Sequence, residues 1–148
     1  MTPTQALTRA ILPDLEKLKN GGKLFLIGSV GYSIIEILWR GNTHWTMSIT
    51  GGLCYLAIYH IDTTRSGEPW WKKCILCSAA ITSLEFLVGC IVNLQLGWNV
   101  WSYDRLPGNL MGQICPLFSL LWFFLSIPLI GLSNLLHRRL TSRIPAAA

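Results

Sequence analysis

Two glutamates stand inside long apolar stretches of the sequence. Glu36 is the only charged residue between Lys23 and Arg40, and Glu85 is alone in a later stretch of similar character. A carboxylate at membrane depth costs a few kcal/mol, so it usually faces the interior of a helix bundle and has a partner there. The two acids therefore indicate an intramembrane polar site that could exchange protons or hold a cationic group.

Helical spacing places further polar side chains beside these acids. Tyr32, Glu36 and Arg40 follow one another at four-residue intervals, so they share one stripe of a helix, and Glu36 can pair with Arg40. Glu85 and Asn93 lie on one narrow polar face of a second helix. We expect these five residues to bind a ligand or couple protons. The structural alternative is an Arg40–Glu36 pair and a protonated Glu85 that only join helices together.

A segment near residue 105 combines aromatic, charged and amide side chains. An aromatic belt at a membrane surface explains its Trp and Tyr residues, but it does not require the acid, the base and the amides beside them. We predict that Asn109 caps the last helix, whose free amides would then face the same cavity. The residues expected to contact a ligand or to gate its access are Trp98, Trp101, Tyr103, Asp104, Arg105, Asn109 and Gln113.

Other site chemistries have little support in the sequence. His44, His60 and His137 fall at different depths, and no tight set of His, Cys and carboxylates appears, so we expect no metal. The pair Cys74 and Cys77 forms a C-x-x-C, which alone is a weak redox signal. Phosphate-binding loops, dinucleotide fingerprints and serine-hydrolase elbows are absent from the sequence, and we expect no cofactor.

The composition indicates a membrane protein. Hydrophobic residues make up 51% of the chain and charged ones only 13%, against roughly a quarter charged in soluble domains. Four apolar blocks predict spans at about 24–40, 43–61, 74–96 and 110–134. Because lipid leaves backbone groups no external partner, we predict an all-α integral membrane protein, an antiparallel four-transmembrane-helix bundle formed by residues 23–136.

Polar segments flank this membrane domain. Residues 1–22 are predicted to form an interfacial amphipathic helix on the cytoplasmic leaflet, ended by a break at Asn20-Gly21-Gly22. Its apolar residues repeat at helical spacing, namely Leu7, Ile11, Leu15 and Leu18. Residues 137–148 form a basic tail. No apolar region typical of a cleavable signal precedes the first span.

The placement of lysine and arginine predicts the topology. Ten of the 12 basic residues lie in the leader, the second connection and the tail, whereas Arg40 and Arg105 lie on the other side. Basic loops stay in the cytoplasm, so both termini are expected there, with the chain in a bacterial cytoplasmic membrane. The excess of positive charge then indicates contact with anionic lipids rather than with nucleic acid.

Residues of the first apolar stretch and of the segment near residue 105 carry a resemblance to a known family. The chain resembles small bacterial membrane proteins classed as ABC-transporter permeases of the CmpB type, to which some four-span eukaryotic proteins are related. The family usually reads Trp-Asp-Tyr-Ser where this chain reads Trp101-Ser102-Tyr103-Asp104. The resemblance rests on Tyr32, Glu36, Trp98, Trp101, Tyr103, Pro107, Asn109, Gly112, Gln113, Ile114, Phe118, Leu121 and Trp122.

The resemblance implies a permease, and three functions remain open. We favour a permease or transporter component that holds a small charged or amphiphilic ligand in an intrabundle pocket open to the extracytoplasmic side. Without a nucleotide-binding motif it would act as a homo-oligomer or with other membrane subunits, including an ATPase. The alternatives are a membrane-embedded enzyme that acts on a lipid or amphiphile through its carboxylates, and a structural subunit of a larger complex.

Overall fold

The computed structural model describes the backbone of residues 3–141 and the side chains of residues 16–141. Four α-helices make up most of this range, and a π-helical segment, Cys90–Gln95, continues the third. The α-helices are α1, Pro3–Arg40; α2, Trp45–Thr64; α3, Trp70–Gly89; and α4, Pro116–Thr141. A long loop, residues 96–115, joins the π-helical segment to α4 and contains one isolated β-bridge, Leu110–Ile114.

Three stretches of helix are long and apolar enough to cross a membrane: Glu16–Arg40, Trp70–Gln95 and Pro116–Thr141. Each has at least 25 residues, which at about 1.5 Å per residue exceeds a hydrocarbon core of roughly 30 Å. The protein is therefore an all-α membrane protein.

Helix α2 is not one of these three stretches. It packs against α1, α3 and α4. Several of its polar side chains bond within the protein: Thr50 donates to the backbone oxygen of Thr46, and Ser48 bonds to Ser33 of α1. The buried Tyr55 hydroxyl has no partner among the described residues. Helix α2 therefore has protein on several sides, while Trp45, Ile49 and Leu53 remain exposed.

Glycines bring α1 and α2 into direct contact. A Cβ added at Gly28 would lie 2.5 Å from the Cβ of Tyr55 and 2.6 Å from the backbone oxygen of Gly51. Ser33 and Ser48 join their hydroxyls at 2.7 Å further along. Since the residue numbers rise along α1 as they fall along α2, the two helices form an antiparallel hairpin.

Helix α4 runs back along α3. Gly89 lies against the side chain of Gln113 just before α4 begins. Within α4, the Ser119 hydroxyl accepts a 2.9 Å hydrogen bond from Thr82, and Ser78 donates to the Ser119 backbone oxygen. The long loop therefore folds back on the end of α3, and α4 starts beside the middle of that helix.

The leader differs from the sequence prediction. Helix α1 continues through Asn20-Gly21-Gly22 without the expected break, because helical hydrogen bonds outweigh a glycine cost of roughly 1 kcal/mol per residue. The leader backbone is thus part of one helix with the first span. The side chains of Leu7, Ile11 and Leu15 lie outside the described residues, and Leu18 is exposed.

The bounds of the last two helices also differ. Helix α4 begins at Pro116 rather than near residue 110, because residues 110–115 form turns that close the long loop. Proline suits this first position, where its missing N–H loses no helical bond. Helix α3 begins at Trp70, directly after Pro69, so Lys73 lies inside the helix instead of in a connecting loop.

Candidate functional site

Glu36 has hydrogen-bond partners at both carboxylate oxygens. Arg40 donates to Oε1 at 2.8 Å, and the Thr43 hydroxyl donates to Oε2 at 2.8 Å. The same guanidinium donates to the backbone oxygen of Val100 at 3.1 Å. The expected Glu36–Arg40 pair is thus present, and it also ties the end of α1 to the long loop.

Glu85 is almost completely buried, with 1% of its surface exposed. Its Oε2 accepts a 2.7 Å hydrogen bond from the indole N–H of Trp122. Its Oε1 has no hydrogen-bond partner within the described part of the chain. Tyr32 and Glu36 are near enough to interact electrostatically with this carboxyl group. Both acids therefore turn into the protein and lie in one neighbourhood without sharing a hydrogen bond.

The amides of Asn93 and Gln113 hold the long loop in place. Asn93 donates to Gln113 Oε1 at 2.8 Å and to the backbone oxygen of Trp101 at 3.0 Å, while its own oxygen accepts from Val100 N–H at 2.7 Å. The Trp101 indole donates to the backbone oxygen of Gln113 at 3.0 Å. A buried amide so fully bonded serves to position the loop, and little of its capacity is left for a ligand.

Asp104 and Asn109 also bond within the loop. Asp104 accepts a 2.6 Å hydrogen bond from the Ser102 hydroxyl, and its carboxylate lies against Gly112, where φ is +67°. Asn109 donates to the backbone oxygen of Leu106 and accepts from Gly112 N–H. The prediction that Asn109 caps the last helix is wrong, because its amide closes this turn several residues before Pro116.

A chain of aromatic rings runs from the loop towards Glu85. Tyr103 stacks on Phe118 with 4.4 Å between ring centres. Phe118 lies 6.2 Å from Trp122, and Trp122 lies 6.1 Å from Tyr32. Burial, followed by the nearby Glu85, raises the pKa of Tyr103 well above its ordinary value, so this phenol stays neutral and can donate a hydrogen bond.

These residues surround a cavity of about 540 Å³ between α1, α4 and the long loop, called here the large cavity. This volume is in the range of small-molecule sites. Glu36, Arg40 and Ser102 give it a polar end, and most other walls are apolar. It is lined by Tyr32, Ile35, Glu36, Trp39, Arg40, Met47, Trp101, Ser102, Tyr103, Leu106, Phe118, Leu121, Trp122 and Leu125.

The large cavity takes in only part of the residues singled out from the sequence. Tyr32, Glu36, Arg40, Trp101 and Tyr103 line it. Glu85 bonds to Trp122 from outside the lining, and the side chains of Asn93, Asp104, Asn109 and Gln113 form hydrogen bonds that hold the long loop. Those outside the lining are Glu85, Asn93, Trp98, Asp104, Arg105, Asn109 and Gln113.

Trp98 and Arg105 lie on the outer surface of the protein. Trp98 packs against His44 and Trp45, with ring centres 5.7 and 5.8 Å away, and almost half of its surface is exposed. Arg105 is exposed as well. Their positions suit a membrane interface better than a cavity wall.

A second cavity of about 140 Å³, the small cavity, continues deeper between the helices. Tyr32, Ile35, Trp122 and Leu125 line both cavities. The rest of its lining is formed by glycines, Cys54, Tyr55 and aliphatic side chains: Ile27, Gly28, Gly31, Gly51, Cys54, Tyr55, Ile58, Ile81, Leu129 and Leu132. The two cavities together thus have one polar end and one apolar end.

The sequence did not predict a buried ion pair at the opposite end of the bundle. Lys73 donates to Asp62 Oδ1 at 2.8 Å, and Ser133 donates to Asp62 Oδ2 at 2.8 Å. The cluster joins α2, α3 and α4, and all three residues are buried. Charge counting assigned Lys73 to an exposed loop, and no spacing rule connects residues so far apart in sequence. The sequence holds one indication of this ion pair, which is the isolated acid Asp62 at the end of the second apolar block.

The cysteines and potential metal ligands show no further site in the described range. Cys74 and Cys77 are buried free thiols. Among residues 16–141, no group of three or more His, Cys, Asp and Glu side chains could hold a metal ion.

Comparison with known proteins gives one family match. Residues 23–148 match the CmpB family model, described as "Putative ABC-transporter type IV". Neither the curated proteins nor the solved structures contain a match to this chain. The family match covers most of the sequence, including both acids and the long loop. The chain therefore belongs to the ABC-transporter CmpB family.

Proposed function

We propose that this chain is a membrane component of a transport system and that it binds a small charged or amphiphilic ligand in the large cavity. The observation that carries the proposal is a cavity of about 540 Å³ with the Glu36–Arg40 pair at one end and aromatic walls around it. Membership of an ABC-transporter family supports transport over other uses of such a cavity.

In this proposal all four helices cross the membrane and both termini are cytoplasmic. Helix α2 has 20 residues, enough for a core of roughly 30 Å. Ten of the 12 basic residues then fall on the cytoplasmic side. The long loop and the polar end of the large cavity face outward from a bacterial cytoplasmic membrane, and the leader approaches the inner leaflet.

The cavity chemistry supports a ligand that carries charge. The guanidinium of Arg40 offers N–H groups to an anionic group, and Glu36 offers a carboxylate to a cation. Trp101 and Tyr103, which line the cavity from the long loop, would gate access to it. Glu85, behind Trp122, would hold or release a proton as the ligand moves.

In this proposal the chain needs partners, both to supply energy and to complete the permease. The sequence contains no nucleotide-binding motif, so an ATPase subunit would supply the driving force, or Glu36 and Glu85 would couple a proton gradient. Four spans are few for a complete permease, which favours a homo-oligomer or association with other membrane subunits.

Uptake measurements on cells that express the chain test this proposal. We expect accumulation of at least one radiolabelled probe, from a set of choline, glycine betaine and lysophosphatidylcholine, above that of cells without the chain. Arg40→Gln or Glu36→Gln should lower it about tenfold, the effect of one lost charge-assisted hydrogen bond. Arg105→Gln and Glu68→Gln are matched controls and should transport normally. Accumulation of none of the probes, or normal uptake by both cavity variants, would count against the proposal.

A further inference from the structure

We infer that the ligand of the two cavities is a single-chain zwitterionic lipid that enters sideways from the bilayer between α1 and α4. The inference rests on the proposed function for the role of the large cavity and adds the class of ligand and its route. Three features of the described residues carry it: the combined length of the two adjoining cavities, their side opening and the chemistry of their polar end.

The two adjoining cavities together span about the thickness of one leaflet. Along α1 their lining extends from Ile27 to Arg40, which at 1.5 Å per residue is about 20 Å. Half of a hydrocarbon core is about 15 Å thick. A lipid with its headgroup beside Arg40 would therefore place its acyl chain in the small cavity without crossing the membrane.

The cavities open towards the bilayer. The backbones of α1 and α4 hardly approach each other, because α1 packs mainly against α2, and α4 packs against α3 and α2. The side chains of Tyr32 and Trp122 bridge the gap. Ile35 and Leu121, on either side of the opening, are 39% and 41% exposed although both line the large cavity. A lipid could therefore enter from the side with its chain still in hydrocarbon.

The polar end carries both charges of a zwitterionic headgroup. Arg40 keeps guanidinium N–H groups beyond those used by Glu36 and Val100, and phosphate is the anion that this planar donor binds best. Aromatic faces attract a quaternary ammonium group, and Trp39, Trp101 and Tyr103 line this end beside Glu36. A fatty acid has a carboxylate for Arg40 but no cationic group for Glu36 and the aromatic rings.

Photolabelling of the complete chain in nanodiscs tests the inference. The probe is lysophosphatidylcholine with a diazirine near the end of its chain, and the labelled residues are identified by mass spectrometry. We expect labels around the small cavity, at Ile27, Gly31, Leu129 and Leu132. Excess unlabelled lysophosphatidylcholine should abolish them, whereas oleate, which has no cationic group, should compete about tenfold less well.

A glycine pair supplies matched variants. Gly31 lines the small cavity, and Gly131 lies on the exposed surface of α4; a Cβ added at either would meet nothing within 4 Å. Phenylalanine at Gly31 should fill the small cavity and reduce labelling about tenfold, whereas Gly131→Phe should label like the wild type. Competition on the wild type decides the question if Gly31→Phe fails to fold.

Labels spread over the whole lipid-facing surface and insensitive to competitor would overturn the inference. So would equal competition by oleate, which would show that the cation of the headgroup is not recognised. These results are separable from failure of transport. Labelling at the small cavity without uptake would leave the lipid site standing, and uptake of choline that depends on Arg40 without such labelling would leave only the proposed function.

Discussion

At the scale of single residues, the most informative group is the carboxyl of Glu85. It is buried, Trp122 donates a hydrogen bond to Oε2, and Oε1 has no partner of good geometry within the described residues. An unsatisfied buried polar atom costs roughly 1–3 kcal/mol. Proteins keep such atoms mainly where function requires them. We connect this cost with the adjoining large cavity, because Trp122, which lines that cavity, donates to Glu85.

The Glu85–Trp122 bond should contribute measurably to stability. Trp122→Phe removes the indole donor to Oε2, so we expect the free energy of unfolding to fall by about 1–3 kcal/mol. Adding Glu85→Leu removes the orphaned acid and should restore part of the loss. The measurement is SDS-induced unfolding in micelles, followed by circular dichroism. The exposed Trp70→Phe is the control. Losses that simply add in the double variant would contradict this account.

Lys73 should be far more important for stability than its neighbour. Lys73→Met leaves the buried Asp62 without its cation, and we expect a loss of about 3–5 kcal/mol. Lys72→Met removes an exposed pair with Glu68 and a contact with the Trp71 ring, and it should cost at most about 1 kcal/mol. The same unfolding titration measures both variants. Equal losses of unfolding free energy in the two variants would show that burial does not increase the contribution of the Asp62–Lys73 pair to stability.

At the scale of helices, the sequence predicts composition-driven features well. The helical class, the Glu36–Arg40 pair and the family follow from charge scarcity, four-residue spacing and loop motifs. The sequence does not predict features that depend on contacts between distant residues. The later start of α4 depends on turns within the long loop, the π-helical segment has no local signature, and the Asp62–Lys73 pair depends on how α2 and α3 meet.

Substitutions at two glycines of α1, three residues apart, distinguish the effect of packing on stability from the effect of helix propensity. Gly28→Ala would place a methyl group 2.5 Å from the Cβ of Tyr55 and 2.6 Å from the Gly51 backbone, so we expect a loss of about 1–3 kcal/mol from overpacking. Gly31→Ala meets open space and should stabilise by up to about 1 kcal/mol through helix propensity. Thermal unfolding in micelles compares them. A tolerated Gly28→Ala would argue against the close α1–α2 hairpin.

At the scale of the whole molecule, the proposal depends on α2 crossing the membrane although its hydropathy is modest. Single cysteines at exposed positions test this, because four of the five native thiols are buried. We expect an impermeant maleimide to label Asn42→Cys and Ser102→Cys on intact spheroplasts, and Gly67→Cys only after permeabilisation. Labelling of positions 42 and 67 from one side would mean that α2 does not span the membrane.

The organisation of the whole molecule places two adjoining cavities beside α1 and α4, a large one with a charged end under the long loop and a small apolar one among the helices. An experimental structure in nanodiscs made with native membrane lipids tests this claim most directly. We predict α1 and α4 held apart and elongated density that begins within hydrogen-bond distance of Arg40 and ends beside Gly31. If α1 and α4 instead pack together, with Glu36 and Arg40 turned towards acyl chains, the cavity and the function built on it are wrong.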